Sequence, residues 1–172
     1  MAKFNVLGLA GIGVSGLALI FGIVSFSSKY WEEANLSNVI LNIGLWEYCL
    51  ETSGIKICTD VDTAELVSDE AMVKVNACRA MMFLGIFGTF GAIVSGVLVM
   101  FVMKSTKILY FAAGGVDIFS GVCFMIAMAV YAGEIKNDDS DLHAGFALAV
   151  VAWITAWIAG GIFIGAKIMD KD

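Results

Sequence analysis

The stretch that decides the fold is WEEANLSNVILNIGLWEYCLETSGIKIC, which runs from Trp31 to Cys58. It is a long polar and aromatic segment between apolar blocks, and Cys49 and Cys58 flank its polar run at residues 51–54. Two β arms joined by such a run bring cysteines at this spacing opposite each other. The stretch therefore predicts a β-hairpin cross-linked by a disulfide. Closing a loop of about ten residues is worth roughly 2 to 3 kcal/mol in the chain-entropy model.

The rest of the chain has the composition of a membrane protein. Of its 172 residues 60% are hydrophobic and none is proline, and the mean hydropathy is +0.90. Four apolar blocks lie at about residues 6–26, 80–103, 108–132 and 144–168. Each can cross a bilayer, because about 20 helical residues span its hydrocarbon core. We therefore predict a membrane α-helical fold in which residues 1–172 form one four-span domain.

The first block could instead be a signal peptide, since Lys3 precedes it and Ser25-Phe26-Ser27 is a small-x-small site. Its apolar run exceeds the roughly 7 to 15 residues of a signal peptide, so we favour a retained helix. In a four-span topology, five lysines lie on the same side of the membrane. The positive-inside rule identifies that side as the cytoplasm. The five lysines are Lys3, Lys104, Lys107, Lys167 and Lys171. We expect a multi-pass plasma-membrane protein with both termini cytoplasmic.

The two loops expected outside the cell, at about residues 27–79 and 133–143, are acidic. The nine acidic residues of the first loop are Glu32, Glu33, Glu47, Glu51, Asp60, Asp62, Glu65, Asp69 and Glu70. Its four basic residues are Lys29, Lys56, Lys74 and Arg79. The net charge of −6 is therefore expected to be a property of the extracellular surface.

Sequence patterns divide the first loop into elements. Trp31, with the Lys29 and Tyr30 before it, suits an anchor at the headgroup level. Alternation predicts one strand over residues 43–50 and another over 55–59, extended by one or two strands within 32–41. Such a small sheet is marginal on its own.

The end of the first loop predicts a helix that continues into the second span, either unbroken or with a break near Ser68. Asp62 and Glu65 have the spacing of an N-cap and its capping carboxylate. Arg79 lies where this helix meets the membrane. Two roles remain open for Arg79. Its side chain extends to the lipid headgroups, or it binds carbonyl oxygens or acidic groups of the sheet and tethers the sheet to the helix.

Two further residues are candidate sites. Asn35 begins the N-glycosylation sequon Asn35-Leu36-Ser37, close to the end of the first span. Asp117 is an acidic residue within a span. An ionisable residue inside the membrane is by default a candidate functional site. We favour a packing role in which Asp117 is protonated or bonded within the bundle. The partners considered are Ser120, Tyr110, Thr89 and Ser95.

The sequence gives no sign of catalysis or of a cofactor. Its one histidine, His143, has no ligand at metal-binding spacing beside it. No nucleophile elbow or phosphate loop occurs. The pair Cys49 and Cys58 lacks the Cys-x-x-Cys spacing of a thiol oxidoreductase. We expect no enzyme activity, no metal and no nucleic-acid partner.

Taken in order, the motif residues of the first loop and second span resemble the claudin superfamily. They are Trp31, Gly44-Leu45-Trp46, Cys49, Cys58 and Arg79. That superfamily includes the claudins, the peripheral myelin and epithelial membrane proteins, the lens fibre membrane protein and the stargazin-like channel subunits. The likeness extends to Gly114-Gly115 in the third span and to Trp153 and Gly160-Gly161 in the fourth.

The resemblance implies a left-handed four-helix bundle carrying an extracellular antiparallel sheet, with a bridge between Cys49 and Cys58. It also implies that Trp31 and residues 44–46 anchor the sheet to the bundle while Arg79 braces it. In claudins such loops mediate contact between neighbours and between cells. The expected function is therefore a structural or adhesive role at cell junctions, forming a barrier or a cation-preferring path.

Some features depart from claudins. The last residues, 169–172, lack the hydrophobic C-terminal residue that PDZ scaffolds capture, so no PDZ partner is expected. The connection at about 133–143 is short and acidic. The alternative is an auxiliary subunit of a channel or receptor. Expected partners are the lipid bilayer and this chain or related four-span proteins, in the same membrane or in an apposed one.

Overall fold

Four long helices form a bundle, as the sequence predicts. The computed structural model describes residues 6–36, 39–63, 68–102, 108–136 and 140–169, without the side chain of Leu36. The helices are α1 (Val6–Ser27), α2 (Asp69–Phe101), α3 (Ile108–Val130, extended by a π-helical turn over Tyr131–Ile135) and α4 (Ala144–Met169). All four are long and apolar enough to cross a membrane. Of the five predicted cytoplasmic lysines, Lys167 lies within these ranges and the other four lie outside them.

Helix α2 is longer than the apolar block that predicts it. It begins at Asp69, after Ser68, whose hydroxyl accepts a hydrogen bond from the backbone N–H of Ala71 at 3.2 Å. The predicted cap at Asp62 is therefore wrong for α2, because the helix begins further along the chain, where Ser68 is the N-cap. Asp62 lies in a 3-10 turn over Val61–Thr63, and Glu65 is outside the described residues.

The bundle has a fixed neighbour order. Helix α1 packs against α2 and α4, and α3 also packs against α2 and α4, so α1 and α3 lie diagonally opposite. Glycines allow close approach. A Cβ on Gly114 would lie 2.8 Å from the carbonyl oxygen of Gly160, and a Cβ on Gly160 equally close to that of Gly114. Small residues let membrane helices pack backbone to backbone in this way.

A five-stranded antiparallel sheet covers one end of the bundle. Its strands are β1 (Glu32–Leu36), β2 (Val39–Ile43), β3 (Glu47–Thr52), β4 (Ile55–Asp60) and β5 (Asp141–Leu142), in the order β4-β3-β2-β1-β5. Sequence analysis did not predict β5, which comes from the connection between α3 and α4. Its pairing partner β1 is far away in the sequence.

The single strand predicted over residues 43–50 is wrong. Strand β2 ends at Ile43 and β3 begins at Glu47. Between them, the backbone N–H of Gly44 donates to the carbonyl oxygen of Glu47 at 2.9 Å and closes a tight connection. Leu45 and Trp46 therefore leave the strands, and the alternation that predicts a continuous strand crosses this turn.

The predicted disulfide hairpin is confirmed. Cys49 on β3 lies directly opposite Cys58 on β4, and the two form a disulfide. Ser53 and Gly54 link the strands with φ of 48° and 83°. Two consecutive residues of positive φ are typical of a type I′ turn, whose twist matches that of the strands.

Candidate functional site: the sheet–bundle junction

Trp31 is enclosed where the sheet meets three helices. Its indole N–H donates to the carbonyl oxygen of Ser25 at 2.7 Å, and its ring centroid lies 4.8 Å from that of Tyr131 and 6.0 Å from that of Phe146. Its side chain has 0% exposure. The predicted headgroup anchor is therefore wrong for Trp31, since neighbouring residues fill the space around the indole. The ring instead joins β1 to α1, α3 and α4.

The backbone around Trp31 makes the same connection. Its N–H donates to the carbonyl oxygen of Ile43 at 2.9 Å, and its own carbonyl accepts from the N–H of His143 at 2.8 Å. The N–H of Gly145, at the start of α4, donates to the carbonyl of Tyr30 at 2.6 Å. These bonds fix the start of β1 between β2 and the start of α4.

Gly44, Leu45 and Trp46 attach the other side of the sheet. A Cβ on Gly44 would lie 2.5 Å from both the Cα of Lys29 and the carbonyl oxygen of Ser28, so the close approach there requires glycine. Leu45 is fully buried. The indole N–H of Trp46 donates to the carbonyl oxygen of Phe26 at 3.0 Å, and the Trp46 ring meets the Phe26 ring edge-on.

Arg79 connects α2 to this turn. Its Nε donates to the carbonyl oxygen of Leu45 at 2.9 Å, and its Nη1 donates to Asp62 at 2.7 Å and to Asn76 at 2.9 Å. The guanidinium carbon lies 4.3 Å from the centroid of the Trp46 ring, within cation–π range. Of the two roles left open for Arg79, the geometry is that of the tether. We call Trp31, Gly44, Leu45, Trp46 and Arg79 the sheet–bundle junction.

Sequence reasoning missed Glu32 as part of this region. It counted Glu32 among the loop acids, yet the residue is fully buried. The hydroxyl groups of Tyr131 and Ser140 both donate to its carboxylate. No local signal could have found it, because successive side chains along a strand point to opposite faces, so a position directly after the buried Trp31 predicts exposure.

Asn35 is exposed near the end of β1, and its Nδ2 donates to Glu33 at 3.3 Å. Strand β5 pairs with β1 at Glu32 and Glu33, so Asn35 lies beyond that pairing. Ser37 of the sequon is outside the described residues. Glycosylation of Asn35 stays a prediction.

Asp117 is fully buried, and its described partner is one that sequence analysis did not name. The hydroxyl of Ser15 on α1 donates to Asp117 on α3 at 2.5 Å, across the diagonal of the bundle. Three of the four expected partners, Ser120, Thr89 and Ser95, instead donate to carbonyl oxygens of their own helices. A diagonal contact depends on how the helices assemble, which hydropathy alone does not show.

Charged side chains lie on one face of the β3–β4 hairpin. Glu47 and Asp60 lie directly opposite each other on β3 and β4. Lys56 lies 3.9 Å from Glu51 and donates to the hydroxyl of Tyr30 at 2.9 Å. The hydrogen bond with Tyr30 raises the pKa of Lys56 above its ordinary value, because donating to the hydroxyl favours the charged ammonium. This face therefore combines facing carboxylates with one fixed cation.

The other face of the β3–β4 hairpin is apolar and open. Leu50 lies opposite Ile57, and the side chains of Leu50, Ile55 and Ile57 are 39%, 62% and 62% exposed. Among the described residues, β4 pairs with β3 alone, so its outer edge is unpaired. We call Leu50, Ile55 and Ile57 the hairpin patch.

A family comparison agrees with this architecture. The family model for the PMP-22/EMP/MP20/Claudin family matches residues 5–166. The chain belongs to this family. Mouse Claudin-15 is 30% identical over 150 residues, which cover 78% of this chain and 64% of Claudin-15. The chain thus spans less than two thirds of that relative's length. As a member of the PMP-22/EMP/MP20/Claudin family it is a multi-pass membrane protein whose sheet is extracellular.

Proposed function

We propose that this protein acts at contacts between cells, where its extracellular sheet recognises the same protein or a related four-span protein without catalysis. The observation that carries the proposal is the hairpin patch. The sheet–bundle junction fixes the sheet to the membrane domain, yet Leu50, Ile55 and Ile57 stay exposed. Adjacent exposed apolar side chains on a sheet face are a feature of interaction sites.

The free edge of β4 supports the same proposal. An unpaired edge offers backbone N–H and C=O groups to another chain. In the proposed contact, a neighbour covers the hairpin patch and the edge of β4. The proposed orientation has both termini in the cytoplasm. Lys167 supports it, because this lysine lies in the last turn of α4, at the opposite end of that helix from the sheet.

The charge of the sheet suggests a preference for cations if such contacts line a path between cells. Glu47 and Asp60 face each other across two strands. The first loop as a whole has nine acidic residues against four basic ones. Glu32 and Arg79 are buried and have opposite charges, so leaving them out does not change the acidic excess. A surface with this excess of carboxylates concentrates cations and repels anions.

The test is to express the tagged protein in non-adherent cells that lack junctions, and to image its accumulation where cells touch. Ile57→Lys puts a charge in the hairpin patch, so we expect contact enrichment to be lost while surface abundance is kept. The matched control is Val73→Lys on α2, because Val73 is also exposed, at 69%. Uniform surface staining of the unmodified protein would contradict the proposal.

A second candidate, an auxiliary subunit of a channel or receptor, is favoured by the outer face of the bundle. A Cβ on Gly13, Gly16, Gly161 or Gly165 would meet nothing within 4 Å. Open small-residue faces on α1 and α4 suit packing against a further membrane helix. Co-purification from native membranes of a stoichiometric channel partner, lost in Gly161→Leu/Gly165→Leu, would support this candidate. Self-association alone would reject it.

A further inference from the structure

Glu32 lies where three separate segments of the chain meet. It is the first residue of β1, with Ile43 of β2 on one side and Leu142 of β5 on the other. The end of α3 lies behind it, because the hydroxyl of Tyr131 donates to its carboxylate at 3.2 Å. Its side chain is fully buried. Hydrogen bonds to a side chain in such a place matter for stability, since no water can replace a lost donor there.

The second donor to Glu32 comes from the connection between α3 and α4. The hydroxyl of Ser140, directly before β5, donates to the Glu32 carboxylate, and Ser140 is itself buried. Tyr131 and Ser140 belong to different segments, because Tyr131 lies in the π-helical turn and Ser140 directly precedes β5. One carboxylate therefore joins the sheet, the third helix and the second extracellular connection.

Strand β5 is short and makes few described contacts of its own. It consists of Asp141 and Leu142, both with exposed side chains. Its register with β1 covers two residue pairs, continued by the bond from the His143 N–H to the Trp31 carbonyl. The His143 Nε2 also lies 3.5 Å from the Glu33 carboxylate, but a contact this exposed to solvent contributes little to stability. A strand of two residues with no buried apolar side chain is far below the size that is stable alone. Its docking needs a further contact.

We propose that Glu32 is the positioning residue that docks the second extracellular connection onto the sheet. By accepting from Ser140, it fixes β5 as the edge strand opposite β4. The extracellular surface is then one sheet built from both connections. Asp141 and Leu142 at one edge keep a set position relative to the hairpin patch at the other. The inference goes beyond the proposed function, and its test needs no cell contact.

The test is hydrogen exchange of the purified full-length protein, followed by mass spectrometry of the segment 140–145. Ser140→Ala removes one donor to Glu32, and Glu32→Ala removes the acceptor. In both variants we expect the His143 amide to exchange at least 10-fold faster, while α2 and the β3–β4 hairpin keep their protection. Ser140→Thr, which keeps the hydroxyl, should stay within about 3-fold of the unmodified protein. The matched control is Glu51→Ala, another acid of the sheet.

A covalent rescue distinguishes lost docking from general damage. Glu33 and Asp141 are register partners on β1 and β5. Cysteines at both positions lie within disulfide reach, because such partners have Cα atoms about 4.5 to 5.5 Å apart. Oxidising Glu33→Cys/Asp141→Cys in the Ser140→Ala protein should restore the protection of His143. If Glu32→Ala does not fold, the exchange rates of Ser140→Ala alone test the proposal. Unchanged exchange of the His143 amide in Ser140→Ala, or a loss of protection spread equally over the whole chain, would overturn the proposal.

Discussion

The sheet–bundle junction and the β3–β4 hairpin belong to one sheet but are stabilised in opposite ways. At the junction, Trp31 and Leu45 are enclosed, and polar groups such as the Arg79 Nε have partners in other segments. The hairpin is held by the pairing of β3 with β2, by the disulfide and by a two-residue turn. No described element covers its hairpin patch, whose apolar side chains are exposed. From this difference we infer two roles. The sheet–bundle junction supports the sheet, and the hairpin is free to contact other molecules.

The largest effect should come from breaking the junction. Trp31→Ala removes a fully buried indole and its hydrogen bond to Ser25, so we expect a loss of about 3 to 5 kcal/mol of stability and failure to reach the cell surface. Thermal unfolding in detergent and surface biotinylation measure both. Phe87→Ala is the control, because Phe87 is an aromatic residue with 62% exposure. Equal surface abundance of both variants would contradict the role of Trp31.

Breaking the local support of the hairpin should cost less. Cys49→Ser opens the bridge to Cys58, and a loop of this size is worth roughly 2 to 3 kcal/mol. We expect reduced surface delivery and a lower thermal midpoint. Reducing agent added to the unmodified protein should lower the midpoint by the same amount, and should not lower that of Cys49→Ser further. Normal surface abundance of Cys49→Ser would show that the hairpin does not depend on its disulfide.

The hydrogen bond between Ser15 and Asp117 lies inside the bundle, far from the sheet, so breaking it tests whether the sheet–bundle junction contributes more to stability than a polar contact elsewhere. Ser15→Ala removes the hydroxyl that donates to Asp117. Hydrogen bonds between membrane helices contribute about 0.6 kcal/mol on average and about 1.7 at most, so the effect should be smaller than at the junction. The control is Ser95→Ala, since Ser95 donates within its own helix. A cost as large as that of Trp31→Ala would contradict this ranking.

The smallest effect on stability is expected on the charged face. Glu47→Gln/Asp60→Asn removes two facing carboxylates, and stability should change by no more than about 0.5 kcal/mol. In an expressing epithelial layer, dilution potentials should show a weaker preference for cations. Asp69→Asn/Glu70→Gln makes the same charge change at the start of α2 and should preserve the preference. Anion preference in the unmodified protein would reject the cation path.

Much of the fold could be predicted from the sequence because its strongest signals are local. Apolar length predicts four helices, and the spacing of Cys49 and Cys58 predicts the hairpin. The motif residues predict the family, which the match over residues 5–166 confirms. These signals need no knowledge of which segments meet in space.

What could not be predicted depends on contacts between distant segments. Strand β5 exists because residues 141–142 meet β1, and no pattern of two residues predicts a strand. The pairing of Ser15 with Asp117 follows from the diagonal placement of α1 and α3. The alternation over residues 43–50 is misleading, because Gly44 closes a turn there.

The measurement that tests the central claim most directly uses two mixed cell populations, each expressing the protein with a different fluorescent tag. Accumulation at mixed contacts is measured and divided by surface abundance. When one population carries Ile57→Lys, we expect accumulation to fall on both sides of the mixed contact at unchanged surface abundance. Val73→Lys should leave it unchanged. Equal accumulation with Ile57→Lys and with the unmodified protein would contradict the division between a supporting junction and a recognising hairpin.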